Sequence, residues 1–141
     1  ITAAYKKYDV KSDYLSGLKE KPLQPRNIIF FNYGIESNKV NESNWKFDIT
    51  YNRIGKQRLM LNPRDNYEFV DPHFSINSQI TRVFSSKFEV YVGGENINNY
   101  QQENPIIMAN DPFNPNFDAS IIHGPIFGST YYIGLRYKIL N

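Results

Sequence analysis

NWKFDITYNRI, residues 44–54, is the stretch on which the fold turns. Trp45, Phe47, Ile49 and Tyr51 alternate with Lys46, Asp48, Thr50 and Asn52, a strict period of two. A strand of this kind has one apolar face with aromatic ends and one polar face. The period recurs on both sides of it. Upstream, NIIFFNYGIE (27–36) sets Ile29, Phe31, Tyr33 and Ile35 on one face, and ITAAYKKYDV (1–10) alternates more weakly. Downstream, FSINSQITRVF (74–84) opposes Phe74, Ile76 and Ile80 to Ser75, Asn77, Gln79 and Thr81. KFEVYVGGEN (87–96) opposes Phe88, Val90 and Val92 to Glu89, Tyr91 and Gly93, with Gly93-Gly94 marking a bend or bulge. TYYIGLRYKIL (130–140) closes the series, with Tyr131, Ile133, Leu135, Tyr137 and Ile139 opposite Gly134, Arg136 and Lys138.

Six strands of about ten residues are long enough to cross a bilayer at a tilt. Their connections alternate in length: long at 11–26, short at 37–43, long at 55–73, short at 85–86 and long at 97–129. Transmembrane barrels pair short periplasmic turns with long external loops in this way. A soluble sandwich tends to have turns of similar length at both ends. Asp48 and Arg136 sit in mid-strand, where exposure to lipid would cost about 2–4 kcal/mol. Their faces are therefore expected to line an aqueous lumen. Six strands cannot close a barrel of the bacterial single-chain type, which has at least about eight. The expected fold is thus all-β: six antiparallel transmembrane strands forming part of a larger barrel over 1–141. The opening ITAAYKKY, without an initiating Met, fits an internal fragment or the mature remainder of a cut chain.

Composition narrows the function classes. The 141 residues hold 11 Tyr and 10 Phe, and the amphipathic rings of Tyr and Trp gather at interfaces and membrane boundaries. A formal charge of +2 makes no case for nucleic acid. The absence of Cys removes disulfides, thiolate metal sites and thiol catalysis together. No run of eighteen apolar residues is present to form a transmembrane helix. The loop 97–129 holds Pro105, Pro112, Pro115 and Pro125, so it cannot be ladder-paired strand or helix throughout. Its apolar Ile106, Ile107, Met108, Phe113, Phe117, Ile121 and Ile122 argue for an ordered loop.

Catalytic chemistry finds little footing. His73 and His123, with Asp71, Asp111 and Asp118, could in principle gather a metal, but their spacing fits no known ligand pattern and solvated or structural roles are preferred. Met60 and Met108 are read as gap fillers in packed loops rather than soft-metal ligands. Glu89 and Glu95 share a strand face about 20 Å apart, too far for a glycosidase pair. Neither a nucleophile elbow nor a phosphate-binding glycine loop is present. The expectation is no enzyme, no metal, no cofactor and no catalytic residue. Asn41-Glu42-Ser43 fits a glycosylation sequon and is given little weight. Residues 1–26 carry Lys6, Lys7, Lys11, Lys19, Lys21 and Arg26, whereas 88–135 has neither Lys nor Arg. Mutual attraction between the basic first loop and the acidic last loop is expected.

FEVYVGGENINNY (88–100) resembles the penultimate strand of TonB-dependent receptors. NPI (104–106), DPFNPNFDAS (111–120), HGPIFG (123–128) and YYIGLRYKI (131–139) resemble that family's last external loop and closing strand. KPLQPRNIIFFNYG and KFDITYNRIGKQRL extend the likeness upstream. The type resembled is the large receptor with an N-terminal carboxypeptidase-regulatory-like module. The resemblance implies that these are the last six strands, the C-terminal part, of a barrel of about 22 strands in the bacterial outer membrane of a Gram-negative cell, with a lumen filled by a plug. It implies uptake of a scarce ligand such as a siderophore, metal chelate, glycan or peptide. The implied partners are the remainder of the barrel and its plug, both outside this sequence, and the TonB complex, reached through that plug. Outer-membrane lipid and a surface lipoprotein complete the set; nucleic acid is not among them. The tail Ile139-Leu140-Asn141 departs from the aromatic or apolar ending common in such barrels. Two alternatives remain: a soluble β-sandwich binding carbohydrate or protein, and a hydrolase with a loop-borne His/Asp site.

Overall fold

Alternating side chains become a sheet only if neighbouring strands agree on which face is dry, and here they do. The computed structural model describes residues 1–15, 17–59, 69–103, 106, 108, 110–115, 117, 119, 122 and 124–139. Its elements in chain order are β1 (Thr2–Lys7), β2 (Lys11–Tyr14), β3 (Gly17–Glu20), β4 (Asn27–Glu36), β5 (Asn44–Ile54), β6 (Gln57–Arg58), β7 (Phe69–Val70), β8 (His73–Val83), β9 (Phe88–Glu95) and β10 (Thr130–Tyr137). Six of them form one antiparallel sheet in the order β1-β4-β5-β8-β9-β10, each next to its neighbour in the series. The described residues include no helix. The sheet is open, with β1 and β10 as its edges.

The pairing register aligns every predicted apolar face. Ala3 meets Phe31, Phe31 meets Tyr51, and Tyr51 meets Ile76. Nearer the short turns, Ile35, Phe47, Ile80, Val92 and Ile133 form one continuous row. The opposite face carries Gly34, Asp48, Gln79, Gly93 and Tyr132 in a parallel row. Among the described residues only one hydrophobic side chain, Val70, is fully buried. The apolar row stands open instead, with Ile133 79% and Leu135 68% exposed.

The two short connections turn at one end of the sheet. Val40 and Ser43 exchange backbone hydrogen bonds of 2.9 and 3.0 Å around Asn41 and Glu42. Both central residues have positive φ, 49° and 64°, the backbone of a hairpin turn whose twist suits the strands. Asn41 of the sequon thus has a turn role of its own. The long connections lie at the other end and hold more structure than their polar composition predicts. The expected loop 11–26 contains the β2–β3 hairpin, and 55–73 contains β6–β7.

Glycines shape the last two strands. Gly93 pairs with Tyr132 and Gly134 with Tyr91, both on the polar face. A Cβ on Gly93 would stand 2.5 Å from the Tyr132 hydroxyl, and one on Gly134 would stand 2.4 Å from the Tyr91 ring. Each ring therefore lies flat over the glycine opposite, covering backbone that a side chain would otherwise shield. The two rings meet edge to face at 6.2 Å, and the Arg136 guanidinium lies 5.8 Å from the Tyr91 centroid. Gly134→Val should displace Tyr91 and destabilise the sheet by about 1–3 kcal/mol. Thermal unfolding followed by circular dichroism checks this, and adding Tyr91→Ala should recover part of the loss.

Candidate functional site

The loop end of the sheet is built from asparagines. β9 pairs with β8 only from Ser78 to Val83, which leaves the backbone of residues 74–76 without a strand partner on that side. Asn98 supplies one. Its Oδ1 accepts from Ile76 N at 2.8 Å and its Nδ2 donates to Phe74 O at 3.0 Å, as a peptide unit would. Ile97 N adds a bond to Ile76 O at 2.8 Å. Asn96 then closes the loop on itself. Its Nδ2 donates to Tyr100 O and Phe127 O, and its Oδ1 accepts from Tyr100 N. Asn99 Oδ1 accepts from Ser129 N, and Ser129 Oγ donates to Asn96 O. Asn96 and Asn99 have φ of 50° and 54°, a conformation that asparagine tolerates better than most residues. Both ends of 97–129 are thereby tied to one point.

Beyond that point the described part of the loop steps from turn to turn. Asp111 N donates to Met108 O, Asn114 N to Asp111 O and Phe117 N to Asn114 O. Gln102 N reaches across to Pro125 O at 2.9 Å. Proline and asparagine shape the described corners, as the composition suggests.

The other two long connections clasp each other. Pro25 bridges to Gln57, Arg26 N donates to Lys56 O, and Leu23 N donates to Arg58 O. Arg58 is almost fully buried; its Nη1 donates to Glu20 O at 2.9 Å and its guanidinium lies 5.2 Å from the Tyr14 ring. Arg26 and Lys56 both stand over the Phe69 ring, at 5.2 and 4.9 Å. The basic first loop is therefore pinned to 55–73. Its described ion pairs, Lys11–Asp9 and Arg26–Glu20, are internal, so the expected attraction to the acidic last loop has no ion pair among the described residues.

His73 begins β8, is buried, and stacks on Tyr100 with ring centroids 5.2 Å apart and planes 4° from parallel. Burial, then the nearby carboxylates of Asp71 and Glu103, holds the Tyr100 phenol above its ordinary range. Asp111 lies elsewhere, in a turn where its carboxylate accepts from Asn114 Nδ2. His123, Asp118, Met60, Pro105, Ile107, Ile121, Leu140 and Asn141 lie outside the described residues. Among the described residues no three His, Asp or Glu side chains gather as metal ligands would. Glu89 and Glu95 stand at opposite ends of β9, and Glu89 is engaged by Arg136.

Beside Asp48, the polar face carries a ladder of neutral hydrogen-bonding groups. Asn32 Nδ2 donates to Thr50 Oγ1 at 2.9 Å, and Tyr132 Oη donates to Gln79 Oε1 at 3.2 Å. Gln79 Nε2 continues to Thr81 Oγ1 at 3.0 Å, while Asn77 Oδ1 accepts from Asn96 N. Donors and acceptors on a wall of this kind suit contact with water, a polar ligand or another polypeptide. No family model, curated protein or solved structure matches the chain.

Asn98→Ala should leave Ile76 N and Phe74 O without their partner, at about 1 kcal/mol in this part-exposed setting. Faster proteolytic cleavage within 97–129 is the expected readout, with the sheet's circular dichroism unchanged. Tyr100 gives a pH test. Its folded-state pKa lies above the ordinary 10.0, so its contribution is full below pH 10.0 and is lost as pH rises through the raised value. Loop cleavage should accelerate in that alkaline window, and Tyr100→Phe should abolish the acceleration.

Proposed function

We propose that this chain is six strands of barrel wall, with their external loops, from a TonB-dependent outer-membrane transporter. The observation that carries the reading is the layout of the apolar face. Register places Tyr5, Phe31, Tyr51, Phe74 and Tyr131 toward the loop end. Trp45, Phe84, Phe88 and Tyr137 lie toward the short turns. Between these two aromatic belts stand Ile35, Ile49, Ile80, Val92 and Ile133, with Tyr33 and Phe47 among them, while Val90 and Leu135 share the row of Trp45. Aromatic girdles flanking an aliphatic band are the outer surface of a membrane barrel. From Phe74 to Phe84 is about 33 Å at about 3.3 Å per residue. A tilt of about 40° shortens this to roughly 25 Å, the height of such a band.

Charge placement supports the same reading. Arg53 and Arg82 lie on the apolar face near its opposite ends, where long cations can reach headgroups. Arg82 lies 4.9 Å from the Trp45 centroid and 5.5 Å from that of Phe84, in the belt itself. Asp48, in mid-strand, is on the other face, which would line the lumen. The edges β1 and β10 each have one neighbour in this sheet, and unpaired backbone in lipid costs several kcal/mol per group. Further strands of the same barrel would satisfy both. In this reading the long connections face outward and help to capture a scarce ligand: a siderophore, metal chelate, glycan or peptide. A plug within the lumen would link the wall to the TonB complex, and a surface lipoprotein is a candidate partner at the outer loops.

The chain should sediment with outer membranes and be released by detergent but not by carbonate. Trp45, the one tryptophan, should be quenched by lipids brominated near the headgroup. A detergent-free, monodisperse soluble monomer would overturn the proposal in favour of a soluble binding module. Ile133→Lys, at mid-depth on the apolar face, should lower folding stability in lipid by about 2–4 kcal/mol. Thr50→Lys, on the polar face, should cost far less in the same denaturant titration.

A further inference from the structure

At the short-turn end, the polar face opens into a cleft of about 360 Å³. Its walls carry five cations, Lys39, Lys46, Lys87, Arg136 and Lys138, against two carboxylates, Glu42 and Glu89. Arg136 is paired with Glu89, and Lys46 with Glu36 at 3.4 Å. Glu42 Oε2 accepts from Ser86 N at 3.3 Å, across the two short turns. Lys39, Lys87 and Lys138 have no ion-pair partner among the described residues. These lysines come from two turns and the end of β10, so the clustering arises from the fold and not from a run in the sequence.

A second observation gives the ligand a shape. Asn44, at the start of β5, also lines the cleft and is only 1% exposed. Its Nδ2 donates to Glu36 Oε2 at 3.4 Å, which leaves Oδ1 as the free end of the amide. That oxygen is buried without a hydrogen-bond donor. A buried acceptor of this kind costs stability unless a donor reaches it. A complementary ligand therefore presents an anion to the lysines and an N–H to Asn44 together.

We propose that this cleft binds an acidic peptide segment, with carboxylates among Lys39, Lys87 and Lys138 and a backbone N–H on Asn44 Oδ1. Phosphate meets the first requirement, but its oxygens are chiefly acceptors and suit Asn44 Oδ1 poorly. An Asp- or Glu-bearing peptide meets both. The site uses the polar face alone, so it stands whether the opposite face meets lipid or not.

The test uses the full 141-residue chain, ¹⁵N-labelled, in whichever medium, buffer or detergent, gives a dispersed amide spectrum. The probes are a short acetylated Asp/Glu peptide, its Asn/Gln counterpart, and inorganic phosphate. The acidic peptide should shift the Asn44 side-chain amide and the backbone amides of Lys87 and Lys138. Its Kd should rise about tenfold in the double variant Lys87→Ala/Lys138→Ala, whose surface changes leave the strands intact, and should rise with salt. Equal binding of the Asn/Gln peptide would overturn the proposal. So would phosphate producing the Asn44 shift while the acidic peptide does not. A spectrum dispersed only in buffer would count against the membrane reading and leave the peptide test unaffected.

Discussion

The constraint on which everything else depends is the common register of six strands. Side chains alternate with a period of two, so slipping any one strand by a single residue would turn its apolar set to the polar side. Ile35, Phe47, Ile80, Val92 and Ile133 can share a row only because five neighbouring strands agree. Short turns enforce that agreement at one end: Asn41 and Glu42 adopt positive φ, and the Ser85-Ser86 region closes on Phe88 O. The asparagine ties enforce it at the other. Apolar contact across the sheet then follows, and so does the separation of charges to one side.

The loop end illustrates a second principle: where the ladder stops, side chains must finish its hydrogen bonds. Asn98 satisfies the edge of β8 as a peptide unit would, and Asn96 joins the start of the loop to Phe127 near its end. This frees 97–129 from any need for regular pairing. Its described turns can present side chains without loosening the sheet beneath. The clasp between the first two long connections works differently, through cations on aromatic rings and the buried Arg58.

Function, on this view, is divided between the two faces and the two ends. The apolar face stands open, with aromatic side chains toward both of its rims. The polar face carries amide and hydroxyl groups together with Asp48 at mid-height and is cationic near the short turns. Tyr91 and Tyr132 lie flat over Gly134 and Gly93, so at those positions the wall presents ring faces and covers the backbone beneath.

Sequence alone determined the six sheet strands, their faces and the alternation of short and long connections, because each depends on local periodicity and turn chemistry. The weakly alternating first stretch, expected over 1–10, is strand only over Thr2–Lys7. Prolines and asparagines also marked the described corners of the last loop. Only the tertiary structure decided the rest. KSDY and GLKE carry little strand propensity, and they pair as β2 and β3 in a hairpin that packs against Arg58, a contact 38 residues away from Glu20. The partner of the basic first loop was likewise decided by packing, since net charge carries no geometry. The cationic cleft was invisible in one dimension for the same reason. Lys39, Lys87 and Lys138 are far apart in the chain, and the antiparallel register alone brings them to one end of the sheet around the unsatisfied oxygen of Asn44.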